Sequence, residues 1–590
     1  MIQKSIMQEE TNIEINRETK EKQTEEKERM RKVKKILAML LICLIIVSLA
    51  ACGSKDGGSN TTDNGGTSST GTDNSTNTNS GSDTTTGSDS SSTDSTTGSG
   101  TARDTLTVAV DVDGGSLNPT QLNGGTYVVT QMLYESLWEY TESGQMIPIL
   151  MESYEEVDVD HWIVHLRQGI TFSNGNPLTA SDVVFSLNYW KTVGVNAVRV
   201  QSLDETRTKV IDDYTLDLYL PSFYIAHKTA ASMFMIFDEE SFDVDSLTLN
   251  PIGTGPYVLK EYVNNSHVYV ERREDYWGEK PAIKNLQFKV VSEPSQIVNG
   301  LVTGTIDVAQ IALADYDYVN DMPNYVLNER YTGGGIQIGF NAGHKGYFNR
   351  FSDPDKSLEA RYAVIHAIDP QVIIDIVYEG HGMVMQGYNP SFCLDWEPAF
   401  DNNHPTYSEG YNIDLAKQYA DSSGLTGQTI SLMITTLPAN VMIAEIVQDM
   451  LSKIDVTVEI ISYDAATVNT MQYDPEADFD MRIGFGIAPN WRIADGLVNG
   501  VRYSPQLTAP GAFPNNDYYL ELAPLTYYTA DDDLRREYLT ELLYLFVDNA
   551  LQYSLCMYST VTAINKDIDL SSIERTITTG WIRYDWVKWA

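Results

Sequence analysis

The 590-residue chain holds 81 Asp/Glu against 40 Lys/Arg, a formal net charge of −41 at pH 7 that excludes nucleic acid and an anionic lipid surface as electrostatic partners. With 42% hydrophobic residues it is not disordered as a whole, and with four cysteines it is not a disulfide-stapled small domain, so a large core must supply its stability. The acidity suits either a cationic ligand or a solvated acidic surface. Residues 1–103 contain 12 Lys/Arg and 14 Asp/Glu, so nearly all of the excess lies beyond them.

Residues 1–29 mix Glu with Lys and Arg and fit a signal peptide poorly, whereas Met30-Arg31-Lys32-Val33-Lys34-Lys35 is a compact basic start. Two readings stay open here: translation from Met30, or an unstructured cytoplasmic leader. Ile36 to Ala51 is a sixteen-residue run without charge, short of the about 20 apolar residues that span a bilayer. It closes on Leu49-Ala50-Ala51-Cys52, which is similar to the bacterial lipobox, whose cysteine receives lipid and becomes the new N-terminus. A stop-transfer anchor is the alternative, because local thinning accommodates a short helix. On the lipobox reading, 1–52 is leader and signal peptide, Cys52 is the lipidation site, and the rest lies outside the cytoplasm. Cys43 falls in the apolar run, leaving Cys393 and Cys556 as one bridge or as two buried free thiols.

Residues 53–103 form a linker. Gly53 to Gly100 is almost entirely Gly, Ser, Thr, Asn and Asp, without an aromatic or a large aliphatic side chain. Nothing there can be buried, so it is a flexible tether with a reach of roughly 35–40 Å, its Ser and Thr open to glycosylation. The globular part, 104–590, exceeds what one core serves, and two or three lobes are expected. Thr105–Val110 alternates as a strand, Val128–Tyr140 reads as an amphipathic helix, and His161–Leu166 alternates again before a turn at Asn174-Gly175. Thr179-Ala180-Ser181-Asp182 has capping-box spacing, with Asp in place of Glu/Gln, ahead of a Val183–Lys191 helix. Strands are expected at Thr215–Tyr219, His267–Arg272, Ile283–Val291 and Val456–Ile460. Helices are expected at Gln371–Tyr378 behind Asp369-Pro370, at Asn440–Lys453, and at Leu534–Asn549 behind three aspartates. This alternation argues an α/β architecture.

The run Leu166–Leu187, centred on Phe172-Ser173-Asn174-Gly175-Asn176-Pro177-Leu178-Thr179-Ala180-Ser181-Asp182-Val183, resembles the signature of the oligopeptide/dipeptide/nickel-type solute-binding proteins of ABC importers. Pro251-Ile252-Gly253-Thr254-Gly255-Pro256-Tyr257, Asp275-Tyr276-Trp277-Gly278 and Arg361-Tyr362-Ala363-Val364-Ile365-His366-Ala367-Ile368-Asp369 are similar to further landmarks of that family, in the same order. The resemblance implies a two-lobed fold of the periplasmic-binding-protein type II class, with an extra α/β domain inserted in the first lobe. Lobe I would comprise 104–147, 248–339 and 556–590, the extra domain 148–247, and lobe II 340–555. A ligand would be enclosed between the lobes, and closure would present it to an ABC permease with its ATPase subunits, without a cofactor and with no bond made or broken. The receptor would be a monomer moored through its lipid at the outer face of the cytoplasmic membrane, in a Gram-positive-type cell.

The family's cleft-facing segments correspond here to Gln121–Tyr127, with Asn123, Gly124, Gly125 and Tyr127, and to the stretch from Phe485 to Trp491. The second supplies Phe485, Gly486, Ile487, Asn490 and Trp491, followed by Arg492; Tyr503 and Phe340 join by position. A tryptophan face stacks on a sugar or an aliphatic group, and arginine clamps a carboxylate bidentately; the alternative is a core Trp and a surface Arg. Peptide binders of this family commonly carry an Asp shortly after the aromatic, pairing with the ligand's ammonium group. Ala488 or Pro489 stands there, Asp480 being too early and Asp495 too late, which argues against a peptide held by a free amine.

The chain contains no HExxH, paired CxxC, GxxxxGK[ST] or GxSxG motif. His161 and His165 read as strand surface, and Gly333-Gly334-Gly335 as a crossing between lobes. Three functions remain: a lipid-anchored solute receptor of an importer taking a peptide-like or other small polar ligand, a receptor for an oligosaccharide or signalling ligand without transport, and a tethered hydrolase.

Overall fold

The computed structural model describes residues 103–590 apart from 112, 114, 121–123, 142–144, 159, 194–203, 205, 220–233, 248, 332–333, 342–344, 392, 394, 397–403, 473, 475, 486–515 and 574–581, with the side chains of 124–127, 485 and 527 also outside the described set. Cys52 and the apolar run before it therefore lie outside the described residues.

Among the described residues the strands form four sheets, of which the three larger ones organise the chain. The first has seven strands, in the order Tyr325–Arg330, Thr560–Asn565, Val308–Ile311, Thr105–Val110, Asn285–Val290, His267–Arg272 and Tyr257–Val263. Thr105–Val110 is parallel to both of its neighbours, so its backbone groups are paired on either side. The second has six strands, in the order Gly382–Val384, Gln552–Tyr558, Gly335–Phe340, Met481–Phe485, Thr429–Thr435 and Thr457–Tyr463. The third is a four-stranded antiparallel unit of Met151–Asp158, His161–Leu166, Thr215–Tyr219 and Lys209–Asp212.

Core packing follows the sheets. Leu106, Val108 and Phe288 of the first sheet share one apolar cluster with Trp162 and Val164 of the four-stranded unit and with Trp190 of the helix Ala180–Thr192, fusing them into one body. The other face of the first sheet buries Ala309, Ile311, Val561 and Ala563 beneath a smaller cluster. The second sheet has its own core, with Ile336, Ile338, Leu432, Met481 and Leu555 under the helices Pro354–Ala367, Pro438–Ser452 and Asp532–Asp548. Cys393 and Cys556 are both buried in that core and are not joined in a disulfide.

Local signals act as the sequence suggests. The Asp182 carboxylate accepts from the Thr179 backbone N–H and hydroxyl, both at 2.8 Å, opening the helix Ala180–Thr192. Asp369 caps Pro370–Val377 through the Gln371 N–H, and Asp531 caps Asp532–Asp548 through the Leu534 N–H. Two expectations are corrected. The Val128–Tyr140 helix is instead Gly124–Leu133, and Trp138–Tyr140 is a strand paired with Met146–Pro148. Short apolar runs do not distinguish helix from strand; here Trp138 packs 5.7 Å from the Trp162 ring, a contact the local sequence cannot announce. The lobe crossings expected at 339/340 and 555/556 fall inside strands of the second sheet, so the chain passes over between Arg330 and Gly335 and returns at Ser559.

The sequence landmarks converge on one joint. Ser173 N–H donates to Gly253 O at 2.9 Å, and Gly255 N–H to Leu133 O at 3.0 Å. A Cβ on Gly253 or Gly255 would run into the Leu133 backbone, so only glycine lets this turn sit on the helix end. The Arg273 guanidinium, 2% exposed, donates to the carbonyls of Thr171, Phe172 and Thr254 at 3.2, 3.1 and 3.3 Å and pairs with Asp275 at 3.2 Å. These motifs hold the four-stranded unit to the first sheet.

Candidate functional site

In sheets with a parallel centre, ligands bind beyond the carboxyl ends of the strands. Leaving Val110, the chain enters a loop fixed by its own polar side chains. Asp113 accepts from Tyr262 OH at 2.9 Å and from the backbone N–H groups of Asn265 and Gly115 at 2.5 and 2.9 Å. Burial, then the bond to Asp113, pushes the Tyr262 hydroxyl up to about 12. Asn118 accepts from the Thr120 N–H and hydroxyl at 2.9 and 2.8 Å. The loop delivers the chain to Gly124 and Gly125, which form the first turn of Gly124–Leu133, where backbone N–H groups have no intrahelical partner.

On the second sheet the corresponding element is Met481–Phe485, flanked by Gly335–Phe340 and Thr429–Thr435. Asp480 sets its start: one carboxylate oxygen accepts from Tyr347 N–H at 2.6 Å, the other from the Ser431 N–H and hydroxyl at 2.8 and 3.0 Å. With both oxygens engaged, Asp480 serves the backbone. Arg482 lies along the sheet over Gly484 and Gly339, where a Cβ would press on its guanidinium. Gln337 Nε2–H donates to Ser554 Oγ at 2.8 Å, and Ser554 Oγ–H to Tyr388 O at 2.7 Å, adding a buried polar row on the neighbouring strands.

The two sheets meet at their crossings. Ser559, at the return, donates from its hydroxyl to Glu329 Oε1 at 2.6 Å, and from its N–H to the His381 carbonyl at 3.2 Å. His381 Nδ1 lies 3.0 Å from the same Glu329 oxygen, and its ring is 4.3 Å from that of Tyr316. Burial acts to raise the Glu329 carboxyl, but Ser559 and His381 outweigh it and hold it below the usual range. One residue of the second lobe is thus tied to a strand of the first across the hinge.

A second polar cluster lies inside the first lobe. Glu135 accepts from Tyr276 OH at 2.6 Å and Trp277 Nε1–H at 3.0 Å. Burial pushes its carboxyl up to about 7 against those hydrogen bonds and the more distant Arg583. The Arg583 guanidinium, 3% exposed, is held between Glu139 and Asp585, with 2.6 Å to the latter. Burial raises the Glu139 carboxyl, Arg583 opposing.

Of the residues singled out in the sequence, Asn123, Gly486, Ile487, Asn490, Trp491, Arg492 and Tyr503 lie outside the described residues, as do the side chains of Tyr127 and Phe485. Phe340 is 7% exposed, stands edge-on to Phe348 at 4.9 Å and packs in the second core. His161 pairs with Asp217 at 2.9 Å on the four-stranded unit. Among the described residues no group of three or more His, Cys, Asp or Glu is arranged to hold a metal ion, and no helix is long and apolar enough to cross a membrane. Asp113, Arg482 and the Glu329–His381 contact were missed in the sequence; only the glycines beside Arg482 carried any signal.

The family model described as bacterial extracellular solute-binding proteins, family 5, middle, matches residues 145–503. The chain is 31% identical over 222 residues to the nickel-binding periplasmic protein of Escherichia coli K12, a match covering 35% of this chain and 41% of that relative. It is 25% identical over 383 residues to the oligopeptide-binding protein AppA of Bacillus subtilis 168, covering 60% of this chain and 68% of the other. In fold it is similar to NikA of Brucella suis in complex with Fe(III)-EDTA, with a TM-score of 0.70 at 21% identity, over 82% of this chain and all of that one (100%).

Proposed function

Because the chain belongs to the bacterial extracellular solute-binding proteins of family 5, we propose that it is the lipid-anchored receptor of an ABC importer, enclosing a peptide-like or other small polar solute between its lobes. The observation that carries this reading is the hinge. Each of two sheets has its own core, and among the described residues the chain passes from one to the other after Arg330 and returns at Ser559. Two bodies joined so sparingly can close on a ligand, and the ligand shifts the population only by its preference for the closed form.

The receptor hands its solute to a membrane permease with ATPase subunits, acts as a monomer, and makes or breaks no covalent bond. The proposed ligand-facing residues are Asn123, Gly124, Gly125 and Tyr127 on the first lobe and Phe340, Phe485, Gly486, Ile487, Asn490, Trp491, Arg492 and Tyr503 beyond it. Cys52, at the end of the lipobox-like Leu49-Ala50-Ala51-Cys52, carries the lipid, and the tether lets the body move about the outer face of the cytoplasmic membrane in a Gram-positive-type cell. A second reading, an oligosaccharide or signalling receptor without transport, draws on the Trp491-Arg492 pair and on the absence of an Asp at 488–489.

A thermal-shift screen against defined di- to nonapeptides, disaccharides and Ni²⁺ tests the binding. A true solute at 100 times its Kd adds about 2.7 kcal/mol to stability and is recovered unchanged; chemical turnover of the stabilising compound contradicts the proposal. For the anchor, labelled palmitate is incorporated by the wild type and lost in Cys52→Ala. Label retained in that variant refutes lipidation at Cys52.

A further inference from the structure

A depression of about 580 Å³ opens on the first lobe between the 276–282 loop and the C-terminal segment. The 276–282 loop leads into the start of Asn285–Val290, a strand parallel to Thr105–Val110. The C-terminal segment follows Thr560–Asn565, which runs antiparallel to Val308–Ile311 and so ends where the parallel strands begin. The loop that begins at Asp111 leaves the opposite ends. A six-residue strand separates the two, a distance of about 20 Å. The depression is therefore not the cleft.

Two half-buried tryptophans, Trp277 and Trp586, line it. Both are fixed in place. The Trp277 indole N–H is bonded to the buried Glu135 at 3.0 Å, and the Arg583 guanidinium sits 4.5 Å from the centre of the Trp586 ring. Arg167, whose Nε–H donates to Ile149 O at 2.7 Å, lies 6.0 Å from the Trp277 ring. The aromatic plates need little ordering when a ligand arrives.

The charges around them decide the ligand class. Arg167, Lys280 and Lys588 are offset by Glu279, Asp569 and Glu274, the last paired with Lys280 at 3.0 Å, while the Asp585 charge is taken up by Arg583. Such a rim gives no net attraction to a phosphate or other anion. Each indole already has an arginine near its ring, so a second cation would meet a like charge there. What remains is a neutral molecule with an apolar face for the rings and many hydroxyl or amide groups for a balanced set of donors and acceptors. The volume falls in the range of small-molecule sites.

We propose that this depression is a second binding site, separate from the cleft, for a neutral mono- or disaccharide or the end of a glycan chain. Its place at the strand starts puts it at the end of the lobe where Arg103 and Asp104 enter the first sheet, Asn285 N–H donating to Asp104 O at 2.8 Å. Sugar held here would fix the body to a glycan surface without occupying the transport cleft, and the proposal does not depend on which solute the cleft takes.

The test uses the full chain and titrates cellobiose, maltose and di-N-acetylchitobiose, reading tryptophan fluorescence and calorimetric heat. Ala282, on the rim, is replaced in Ala282→Trp to fill the depression without removing a bonded group. At least one disaccharide binds the wild type, and its affinity falls tenfold or more in Ala282→Trp, while the melting temperature without ligand stays the same. Trp586→Phe keeps a ring in place and weakens binding less than Ala282→Trp. No binding by any of the three sugars, or equal binding in Ala282→Trp, overturns the site. Equal competition by a zwitterionic tripeptide would replace the glycan with a peptide partner and overturns it also.

Discussion

Arg583→Met destabilises the first lobe by about 3–5 kcal/mol, the usual cost of removing one partner from a buried ion pair. The guanidinium is 3% exposed, and the carboxylates it joins, on Glu139 and Asp585, are 12% and 6% exposed. Without it, two carboxylates stay in a low-dielectric interior with no cation among the groups that bind them, and burial already raises the Glu139 carboxyl with Arg583 present. The same substitution also removes the cation stacked on Trp586. Denaturant unfolding at pH 7 measures the effect. A loss below about 1 kcal/mol would mean that water reaches the cluster and the pair behaves as a surface contact.

A second large effect depends on pH. Burial pushes the Glu135 carboxyl up to about 7, whereas an unfolded glutamate titrates near about 4.3. The folded state therefore holds the proton more tightly. Its contribution to stability is complete below about 4.3 and is lost as pH rises to about 7, at about 1.4 kcal/mol per unit, or roughly 4 kcal/mol over the window. Glu135→Gln removes this component, so its unfolding free energy changes less between pH 4.5 and pH 7 than that of the wild type. Parallel pH profiles for the two proteins would show that Glu135 is ionised and solvated throughout.

Much of the fold was legible because local chemistry decides it. Thr105–Val110, His161–Leu166, Thr215–Tyr219 and His267–Arg272 are strands whose alternation is visible residue by residue, and Asp182, Asp369 and Asp531 announce helices through bonds within three residues. Contacts between distant segments were not legible. Trp138 is a strand residue because of Trp162, and the Gly253 and Gly255 turn has its reason in Leu133. Arg273 gathers carbonyls from residues about a hundred positions away, so these sequence landmarks form a structural joint.

Less of the site was legible. Phe340 was chosen by position, but period-two alternation puts it on the same face as Ile336 and Ile338, in the core. The hinge contact from Glu329 to His381 and Ser559 joins residues from three segments and leaves no pattern along the chain. Ligand identity is harder still, because within one fold it depends on a few side chains in the cleft.

Closure of two lobes on a solute that is then released unchanged is read most directly as a distance between the lobes. Spin labels at Val302→Cys in the first lobe and Met442→Cys in the second, exposed at 57% and 41%, read the distance between lobes, since Cys393 and Cys556 are buried and unreactive by position. With the solute that stabilises the protein in the thermal screen, the distance distribution shifts and narrows, and the solute is recovered intact on release. An unchanged distribution at saturation, or a chemically altered solute, would contradict such closure and release.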